Sequence, residues 1–476
     1  MDKYDAIIIG AGPNGLAAAI TLQKQGLSTL LLEGSYSVGG GMRTKELTLP
    51  GFKHDICSAI HPMAIASPFF RTLPLAEHGL HFVKPHYAAA HPLDHGSAAM
   101  LYNSVAETAD GLGHDAKAYR DLVAQVADGW ESLSSTIMGP LRYPANPLQL
   151  ASFGIKALQP ASWTAGRFRT EQGKALWAGL AAHGIQPLSN WTTSAIALVL
   201  AAVGNKHGWP VPVGGSQSIA DALASYYQSL GGKIQLNHWL RDRGELPDHK
   251  VLILDMTPAQ LLKIEGLGFA DRYSKQLQKY RYGMGVFKLD WALSAKTPFT
   301  DKRCQEAATV HLGNTFAEIA AAERAAHGGQ RVEKPFVLFT QPSAFDDTRA
   351  PAGQHTAWAY CHVPNGSTED YTEAIEQQVE RFAPGFRDTI LARHKFSAVE
   401  MEGYNPNYVG GDINGGIMDI FQLYTRPTLS LTPYRTSNRE VYICSSSTPP
   451  GGGVHGMSGY HAAKTALLDH FNTRIA

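Results

Sequence analysis

The chain has 476 residues, of which 44% are hydrophobic and 17% are charged. That length predicts about two or three domains, and the low charge content excludes disorder as the main state. The 41 Lys and Arg residues balance the 41 Asp and Glu residues. Because no net charge attracts a polyanion, we expect a folded protein with no nucleic-acid partner.

The four cysteines lie far apart and form no C-x-x-C pair, which argues against a disulfide framework, a zinc ribbon and a thioredoxin-type centre. The longest apolar stretch outside the N-terminus, residues 195–203, is shorter than the roughly 20 residues that cross a bilayer. No signal-like segment precedes the first predicted strand. We therefore predict a reducing, cytoplasmic compartment, and we leave peripheral contact with a membrane open.

The chain opens with a strand, a glycine turn, a helix and a second strand. Residues 5–9 and 28–32 predict buried strands, and residues 16–24 predict the helix between them. The turn reads G-x-G-x-x-G, and Glu33 follows its first glycine by 23 positions. This order is typical of a dinucleotide-binding unit.

Each glycine of that turn has a structural role. Gly10 permits the turn, Gly12 lets the backbone approach a pyrophosphate, and Gly15 lets the helix pack on the strand. The helix N-terminus supplies N–H groups for the phosphates. Glu33 would accept hydrogen bonds from a ribose and repel a 2′-phosphate, which disfavours NADP. The candidate cofactor-binding residues in this unit are Gly10, Gly12, Pro13, Asn14, Gly15, Glu33 and Gly34.

A second glycine loop, residues 35–44, favours FAD over NAD, because it would pass close to the rest of a long cofactor. Arg43 is available there for a phosphate or a flavin edge. The alternative is a flexible loop with a surface arginine. The candidate residues are Gly40, Gly41, Met42 and Arg43.

The C-terminal region repeats the order of strand, glycine loop and helix, at residues 440–444, 445–457 and 458–471. Backbone N–H groups in this loop would stabilise the negative charge of a reduced flavin. The alternative is an ordinary terminal loop and surface helix. The candidate residues are Ser446, Gly453, Val454, His455, Gly456 and Met457.

Three segments carry a family resemblance, namely residues 7–43, the run P-V-P-V-G-G-S-Q-S-I-A at 210–220, and residues 449–463. Through them the chain resembles the phytoene desaturase and carotenoid isomerase branch of the FAD-dependent amine-oxidase-like superfamily. Runs at 362–366, 381–386 and 405–412 are similar to those in the group of pyridine nucleotide-disulphide oxidoreductase domain-containing protein two. That group name does not describe this chain's chemistry, since the chain has no C-x-x-C pair.

The resemblance implies an α/β fold with a Rossmann-like FAD-binding domain of the GR2 type, built from both chain ends and a middle segment. The expected FAD-binding parts are residues 1–61, 210–263 and 440–476. An α+β substrate domain would comprise a helical insertion at 62–209 and a sheet-containing part at 264–439.

Local patterns add detail to this arrangement. In the middle FAD-binding part, residues 216–230 predict a helix, and residues 233–240 and 251–255 predict strands. The resemblance implies that the backbone at Leu240 faces the adenine. In the inserted parts, residues 115–135 predict helix, and 285–293 and 336–341 predict strands.

The catalytic candidates are Lys288, His455 and His61. Lys288 lies on a predicted strand that resembles the one on which amine oxidases carry a lysine that holds a water near the flavin. The alternative is a lysine paired with Asp290 or facing solvent. Either histidine could donate to substrate or flavin, or could simply be packed in its loop. We predict no metal site, because Pro92 breaks any helix that would align His91 with His95.

We predict an FAD-dependent oxidoreductase that dehydrogenates a largely apolar small molecule, as a phytoene dehydrogenase does. The alternatives are a flavin-dependent cis/trans isomerase or saturase of a polyene, and a flavoprotein that acts as a binding module. No second G-x-G-x-x-G of similar quality occurs, so oxygen or a quinone is the expected electron acceptor. Phe69, Phe70 and residues 148–163 would form either core, which we favour, or an apolar surface for a membrane. The sequence leaves the oligomeric state open.

Overall fold

The computed structural model describes residues 3–475, which fold around two main β-sheets. All five strands of the first sheet run parallel. Ile9 is level with both Leu254 and Leu32, so the three central strands end at one edge of the sheet. Ligands of open parallel sheets bind outside that edge. In spatial order the strands are Val441–Ile443, His249–Leu254, Tyr4–Ile9, Thr29–Leu32 and Lys233–Gln235.

Helices cover both faces of this parallel sheet, which is why its central strands are continuous apolar runs. Helices Pro13–Gln23, Gln217–Ser229 and Met457–Phe471 pack on one face. The short helices Pro258–Leu261 and Asp271–Gln278 pack on the other. Helices Pro13–Gln23 and Met457–Phe471 are in close contact. A Cβ on Gly459 of the second helix would lie only 1.8 Å from the carbonyl oxygen of Asn14 in the first.

The second sheet has seven strands, and its neighbours are antiparallel except for Tyr87–Pro92 beside Ala307–Leu312. Both inserted parts of the chain therefore contribute to it. In spatial order its strands are Ile390–Phe396, Gly285–Leu293, His355–Val363, Val337–Thr340, Ala307–Leu312, Tyr87–Pro92 and Ala98–Tyr102.

A helical layer covers one side of the second sheet and encloses a large apolar core. Two of its helices, Glu171–Ala182 and Thr193–His207, are mostly buried and pack on each other. The other helices of the inserted parts are Pro62–Ile65, Val105–Gly111, Ala116–Asp128, Trp130–Ile137, Pro147–Ala157, Ala161–Ala165, Phe316–His327, Thr372–Phe382, Ala398–Tyr404 and Ile420–Leu423. Short strand pairs join Thr44–Glu46 to Lys53–Asp55 and Phe82–Val83 to Val211–Pro212.

Two predicted elements differ from the structure. The predicted strand at 233–240 already ends at Gln235, because Asn237 takes a positive φ and its N–H donates to the Ser35 carbonyl oxygen. The predicted helix at 115–135 is two helices that meet at Gly129. Gln149 Nε2 donates to the Gly129 carbonyl oxygen at 2.9 Å across that break.

The sequence left open whether two apolar segments form core or surface, and the structure shows one of each. Phe69 and Phe70 are buried in the core, as favoured. For residues 148–163 that preference is wrong at several positions, because Leu148, Ile155 and Trp163 are 84%, 69% and 61% exposed. Hydrophobic pattern alone cannot separate such a surface from a core helix. Within residues 3–475, no helix has the length and apolar character needed to span a bilayer.

Candidate functional site

A cavity of about 640 Å³ reaches from the carboxyl edge of the parallel sheet to the face of the second sheet. Its volume is in the range of small-molecule sites, which are roughly 300–1,000 Å³. Residues from all three predicted FAD-binding parts and from both inserted parts line it. The lining includes Gly10, Gly12, Glu33, Gly41, Arg43, His61, His183, Ile185, Leu240, Asp255, Thr309, Leu338, Trp358, Tyr360, Tyr404, Ser446, Gly453 and Val454.

The glycine turn forms one wall of this cavity. Gly10 has a φ of 97°, and its N–H donates to the Leu32 carbonyl oxygen at 2.7 Å. A Cβ on Gly15 would lie 1.8 Å from the Gly10 carbonyl oxygen, so only glycine fits there. Helix Pro13–Gln23 begins at the cavity with neither a side-chain cap nor an acidic residue in its first turn. That end of the helix suits a phosphate.

Glu33 sits at the end of strand Thr29–Leu32 and lines the cavity. Its carboxylate accepts hydrogen bonds from the N–H groups of Ala11, at 2.7 Å, and Ser35, at 2.9 Å. Arg43 Nη2 donates to it at 3.1 Å. These bonds fix the carboxylate while leaving further lone pairs free, so it can accept from a ribose hydroxyl.

The guanidinium group of Arg43 is held in place by contacts with other residues of the protein. Besides pairing with Glu33, its Nε and Nη2 donate to the Ser37 carbonyl oxygen at 3.2 and 2.8 Å, and its guanidinium lies over the Tyr404 ring. Arg43 is only 5% exposed although it lines the cavity. It is therefore neither a surface arginine nor a free phosphate ligand, and it orients Glu33.

Asp255 is a cavity residue that the sequence analysis missed. It directly follows strand His249–Leu254, and its Oδ2 accepts a hydrogen bond from the Gly15 N–H at 3.0 Å. Burial raises the pKa of this carboxyl group to about 7, despite that bond. The predicted strand at 251–255 placed the residue at the carboxyl edge of the sheet, which was the available signal.

The C-terminal loop also lines the cavity, through Ser446, Gly453 and Val454. The following helix has Gly456 as its N-cap, in the left-handed region and without a side-chain cap. Five other predicted cofactor residues support the wall from behind, since none is among the lining residues within 3–475. They are Gly15, Met42, His455, Gly456 and Met457.

The three catalytic candidates occupy different positions. His61 lines the cavity, and its Nε2 donates to Ser216 Oγ at 2.8 Å, since that hydroxyl itself donates to the Ser58 carbonyl oxygen. Burial lowers the pKa of His61 to about 4. His455 is packed inside its loop, where its Nδ1 accepts from the Met457 N–H at 3.1 Å. Burial lowers the pKa of His455 to about 4 as well.

Lys288 lies behind the cavity wall, and within the described chain it is not a lining residue. Its Nζ donates to Asp290, and both side chains are at most 1% exposed. Burial alone would raise the pKa of Asp290, but Lys288, His394 and His54 together outweigh it and lower that pKa below the ordinary value. Lys288 also lies 5.5 Å from the centroid of the Trp358 ring, and Trp358 does line the cavity. This arrangement is the paired alternative that the sequence left open.

The cavity ends in a chamber on the second sheet that the sequence analysis did not locate. Thr309, Leu338 and Tyr360 come from three neighbouring strands of that sheet, and Ile185 and His183 from the helical layer. Ile185 and Leu338 are aliphatic, and none of these five side chains is an acid, a lysine or an arginine. Residues separated by up to about 175 positions meet there, so no local sequence motif could have predicted the chamber.

The polar groups on the dinucleotide side of the cavity are suited to binding FAD. Asn14 Oδ1, at the glycine turn, is buried and has no hydrogen-bond partner within residues 3–475. At the helix N-terminus next to it, Gly12 supplies no side-chain cap and the Gly15 N–H donates to Asp255, which leaves the other backbone donors of the first turn for an anion. A buried polar atom without a partner is costly unless a ligand completes it.

Comparisons with known proteins agree with this geometry. Residues 8–73 match the family model of an NAD(P)-binding Rossmann-like domain. The chain is 27% identical to the mouse pyridine nucleotide-disulfide oxidoreductase domain-containing protein 2, over 98% of this chain and 94% of that protein. It is 24% identical to the neurosporene-forming phytoene desaturase of Rhodobacter capsulatus, over 95% and 92%.

Among solved structures, wild-type putrescine oxidase bound to putrescine superposes with a TM-score of 0.61 at 18% identity, covering 99% of this chain and all of that one. This likeness concerns the fold. Together with the sequence similarities, it confirms the predicted resemblance and the predicted fold class.

Proposed function

We propose that the protein is an FAD-dependent oxidoreductase that removes hydrogen from a largely apolar small molecule, in the manner of a phytoene dehydrogenase. The oxidoreductase class and the FAD cofactor predicted from the sequence are confirmed by the comparisons. The apolar substrate and the residues that act on it are our proposal.

One observation carries the proposal. A single cavity joins the dinucleotide turn, the C-terminal glycine loop and an apolar chamber on the second sheet. A cofactor held along the first two would present one end to a molecule in the third. Ile185, Leu338 and Trp358 would pack against hydrocarbon there, whereas a polar substrate would need charged partners that this chamber does not supply among residues 3–475.

The chain's residues have separate roles in holding the cofactor. The N-terminus of helix Pro13–Gln23 would bind the pyrophosphate, Glu33 the ribose, and the loop at Gly453 and Val454 the flavin. When bound, FAD accepts hydride from the substrate. The protein contributes orientation and a cavity wall of apolar side chains that keeps water from the reacting carbon atoms. His61, at this wall, presents an Nδ1 lone pair, because its Nε2 proton is committed to Ser216.

The test is cofactor binding followed by reduction. We expect the purified protein to absorb near 450 nm, and the Gly15→Ala variant to lose FAD because its Cβ meets the Gly10 carbonyl oxygen. Gly154→Ala is the matched control, since a Cβ on that helical glycine meets no atom within 4 Å. Should Gly15→Ala fail to fold, Glu33→Gln serves instead, with weaker FAD affinity expected. A protein that stays colourless after reconstitution contradicts the proposal.

Substrate class is tested with phytoene in phosphatidylcholine vesicles as the probe, without oxygen. We expect the flavin to lose its 450 nm absorbance as a desaturated product forms, one flavin reduced per double bond. Isomerised product without flavin reduction would support the isomerase alternative. Bound FAD that no apolar probe reduces or uses would support the binding module.

A further inference from the structure

A group of buried histidines extends from the cavity wall into the helical layer. His183 lines the chamber, and its Nε2 lies 2.9 Å from Nε2 of His311. His91 lies on the far side of His311, with ring centroids 6.2 Å apart. Burial lowers the pKa of His183 to about 3, of His91 to about 4, and of His311 well below its ordinary value. Each ring is therefore neutral at pH 7 and carries one proton.

The positions of the protons on these histidines can be assigned by starting from His91, which is hydrogen-bonded to a backbone carbonyl oxygen. His91 Nε2 lies 2.6 Å from the Asn314 carbonyl oxygen, which can only accept, so the His91 proton is on Nε2. Its Nδ1 is then a lone pair, and it is buried without a hydrogen-bond partner in the described chain. The neighbouring Nδ1 of His311 is buried and unpartnered too.

Gly179 brings these two nitrogens towards one point. A Cβ at that position would lie 2.5 Å from His311 Nδ1 and 3.0 Å from His91 Nδ1. The two nitrogens form no hydrogen bond with each other. Placing the His311 proton on Nδ1 avoids having two lone pairs close to the Gly179 position. His311 Nε2 then accepts a hydrogen bond from His183 Nε2. The remaining lone pair, on His183 Nδ1, has no hydrogen-bond partner within residues 3–475, and His183 is the histidine of this group that lines the cavity.

We propose that His183 is the catalytic base of the reaction and that His311, His91 and Gly179 are positioning residues that fix its tautomer. The assignment rests on the proposed dehydrogenation. A substrate C–H bond loses its hydrogen with both electrons to the flavin as hydride. The neighbouring carbon loses a proton to His183 Nδ1, and the electrons of that C–H bond form the new C=C bond. A weak base suffices, because loss of hydride makes the neighbouring C–H strongly acidic.

His311 can also take up a proton after His183 has accepted one from the substrate. When His183 Nδ1 takes the proton, its Nε2 proton can shift to His311 Nε2 along the hydrogen bond between them. The positive charge then spreads over two rings, and Trp209 packs against both of them. The buried pair of His362 and Glu323 is the nearest charged group that affects His183. The hydrogen-bonded pair thus offers two positions for the proton beside the chamber.

The first test reads the tautomer directly and needs no substrate. In the FAD-bound, [15N]histidine-labelled protein, long-range 1H–15N spectra assigned with the His183→Gln variant should show an unprotonated Nδ1 and a protonated Nε2 for His183. In Gly179→Ala, whose Cβ displaces the nitrogens behind the pair, this pattern should be lost, and in Gly154→Ala it should be kept. A protonated Nδ1 on His183 of the unchanged protein overturns the proposal.

The second test follows flavin reduction by phytoene in vesicles without oxygen. His183→Gln should bind FAD normally and be reduced at least about 100-fold more slowly. The control His95→Gln, at an exposed histidine, should match the unchanged protein. Added imidazole should partly restore the rate of His183→Ala, which a purely structural role would not allow. Equal rates for His183→Gln overturn the proposal. If phytoene fails to reduce even the unchanged protein, the proposed function is contradicted instead, and the tautomer spectra decide on His183.

Discussion

The carboxylate of Asp255 accepts the backbone N–H of Gly15, at the helix N-terminus that faces the cofactor side of the cavity. The protein thus places its own carboxyl group where a pyrophosphate would also be attracted. A Cβ on Gly12 would lie 2.8 Å from the same Asp255 oxygen, so this carboxyl group is closely enclosed.

We expect Asp255 to make both stability and FAD affinity fall as the pH rises. Its pKa is about 7 in the folded protein and roughly 3.9 in an unfolded chain, so the folded state binds the extra proton between these values. The stabilisation is therefore complete below about pH 4 and lost above about pH 7. FAD should bind more weakly at pH 8 than at pH 6, because the ionised carboxylate repels the pyrophosphate.

The Asp255→Asn variant separates this effect from other titrations. Its amide oxygen can still accept the Gly15 N–H, but it carries no charge. Apoprotein stability at pH 8 should rise by on the order of 2 kcal/mol. FAD affinity should become nearly independent of pH between 6 and 8, as measured by fluorescence titration. Asp388→Asn, at an exposed carboxylate, should retain the pH dependence. An Asp255→Asn protein with unchanged pH dependence would refute this account.

The buried pair of Lys288 and Asp290 should matter for stability more than for chemistry. Lys288→Met leaves a buried carboxylate without its partner, and we expect a loss of about 3–5 kcal/mol in the free energy of unfolding. The double variant Lys288→Met/Asp290→Leu should recover most of that loss. Denaturant titration provides the measurement. If the well-folded double variant binds FAD but is no longer reduced by phytoene, Lys288 acts at the flavin after all.

Pyridine nucleotides should not be the electron donor. The chain has the G-x-G-x-x-G pattern at residues 10–15 and again at residues 451–456, and the proposed FAD site uses both loops, which leaves neither for a pyridine nucleotide. NADPH added to the oxidised protein without oxygen should leave the 450 nm absorbance unchanged over minutes. Oxygen or a soluble quinone should reoxidise the reduced flavin. Rapid bleaching by NADPH would require a second nucleotide site and would contradict this prediction.

The exposed apolar residues Leu148, Ile155 and Trp163 should carry peripheral contact with a membrane. Trp163 stacks edge-on against Trp191, and Arg142 and Arg167 are exposed near them in the chain. We expect the protein to sediment with phosphatidylglycerol vesicles and the Leu148→Ser/Trp163→Ser variant to do so at least severalfold less. Leu391→Ser, at an exposed residue of the second sheet, is the control. Equal sedimentation of all three proteins would leave these residues without that role.

Local patterns predicted the cofactor side of the molecule well, for a physical reason. The strands at Tyr4–Ile9 and Thr29–Leu32 and the helices at both chain ends lie within a few residues of their predicted bounds, because short-range periodicity and glycine turns specify them. The predicted strand at 233–240 was too long because the contact of Asn237 with Ser35 is made between distant segments.

The substrate side could not be predicted in this way. Lys288 was singled out by its strand, but packing against Asp290 decides where it lies. His183 and Asp255 had no motif of their own, and their roles depend on His311 and Gly15, which are 128 and 240 positions away in the sequence. Such residues become visible only once the chain has folded.

The order of the strands in the parallel sheet has a consequence for biosynthesis. The strand at Val441–Ile443 and the loop at Gly453 complete a cleft whose other parts come from the first 43 residues and from the middle segment that includes Leu240 and Asp255. During translation the opening unit leaves the ribosome long before that final strand does. In the proposed site, full binding of FAD would therefore wait until this strand and loop have been made, and a nascent chain without them would expose an incomplete nucleotide cleft to chaperones.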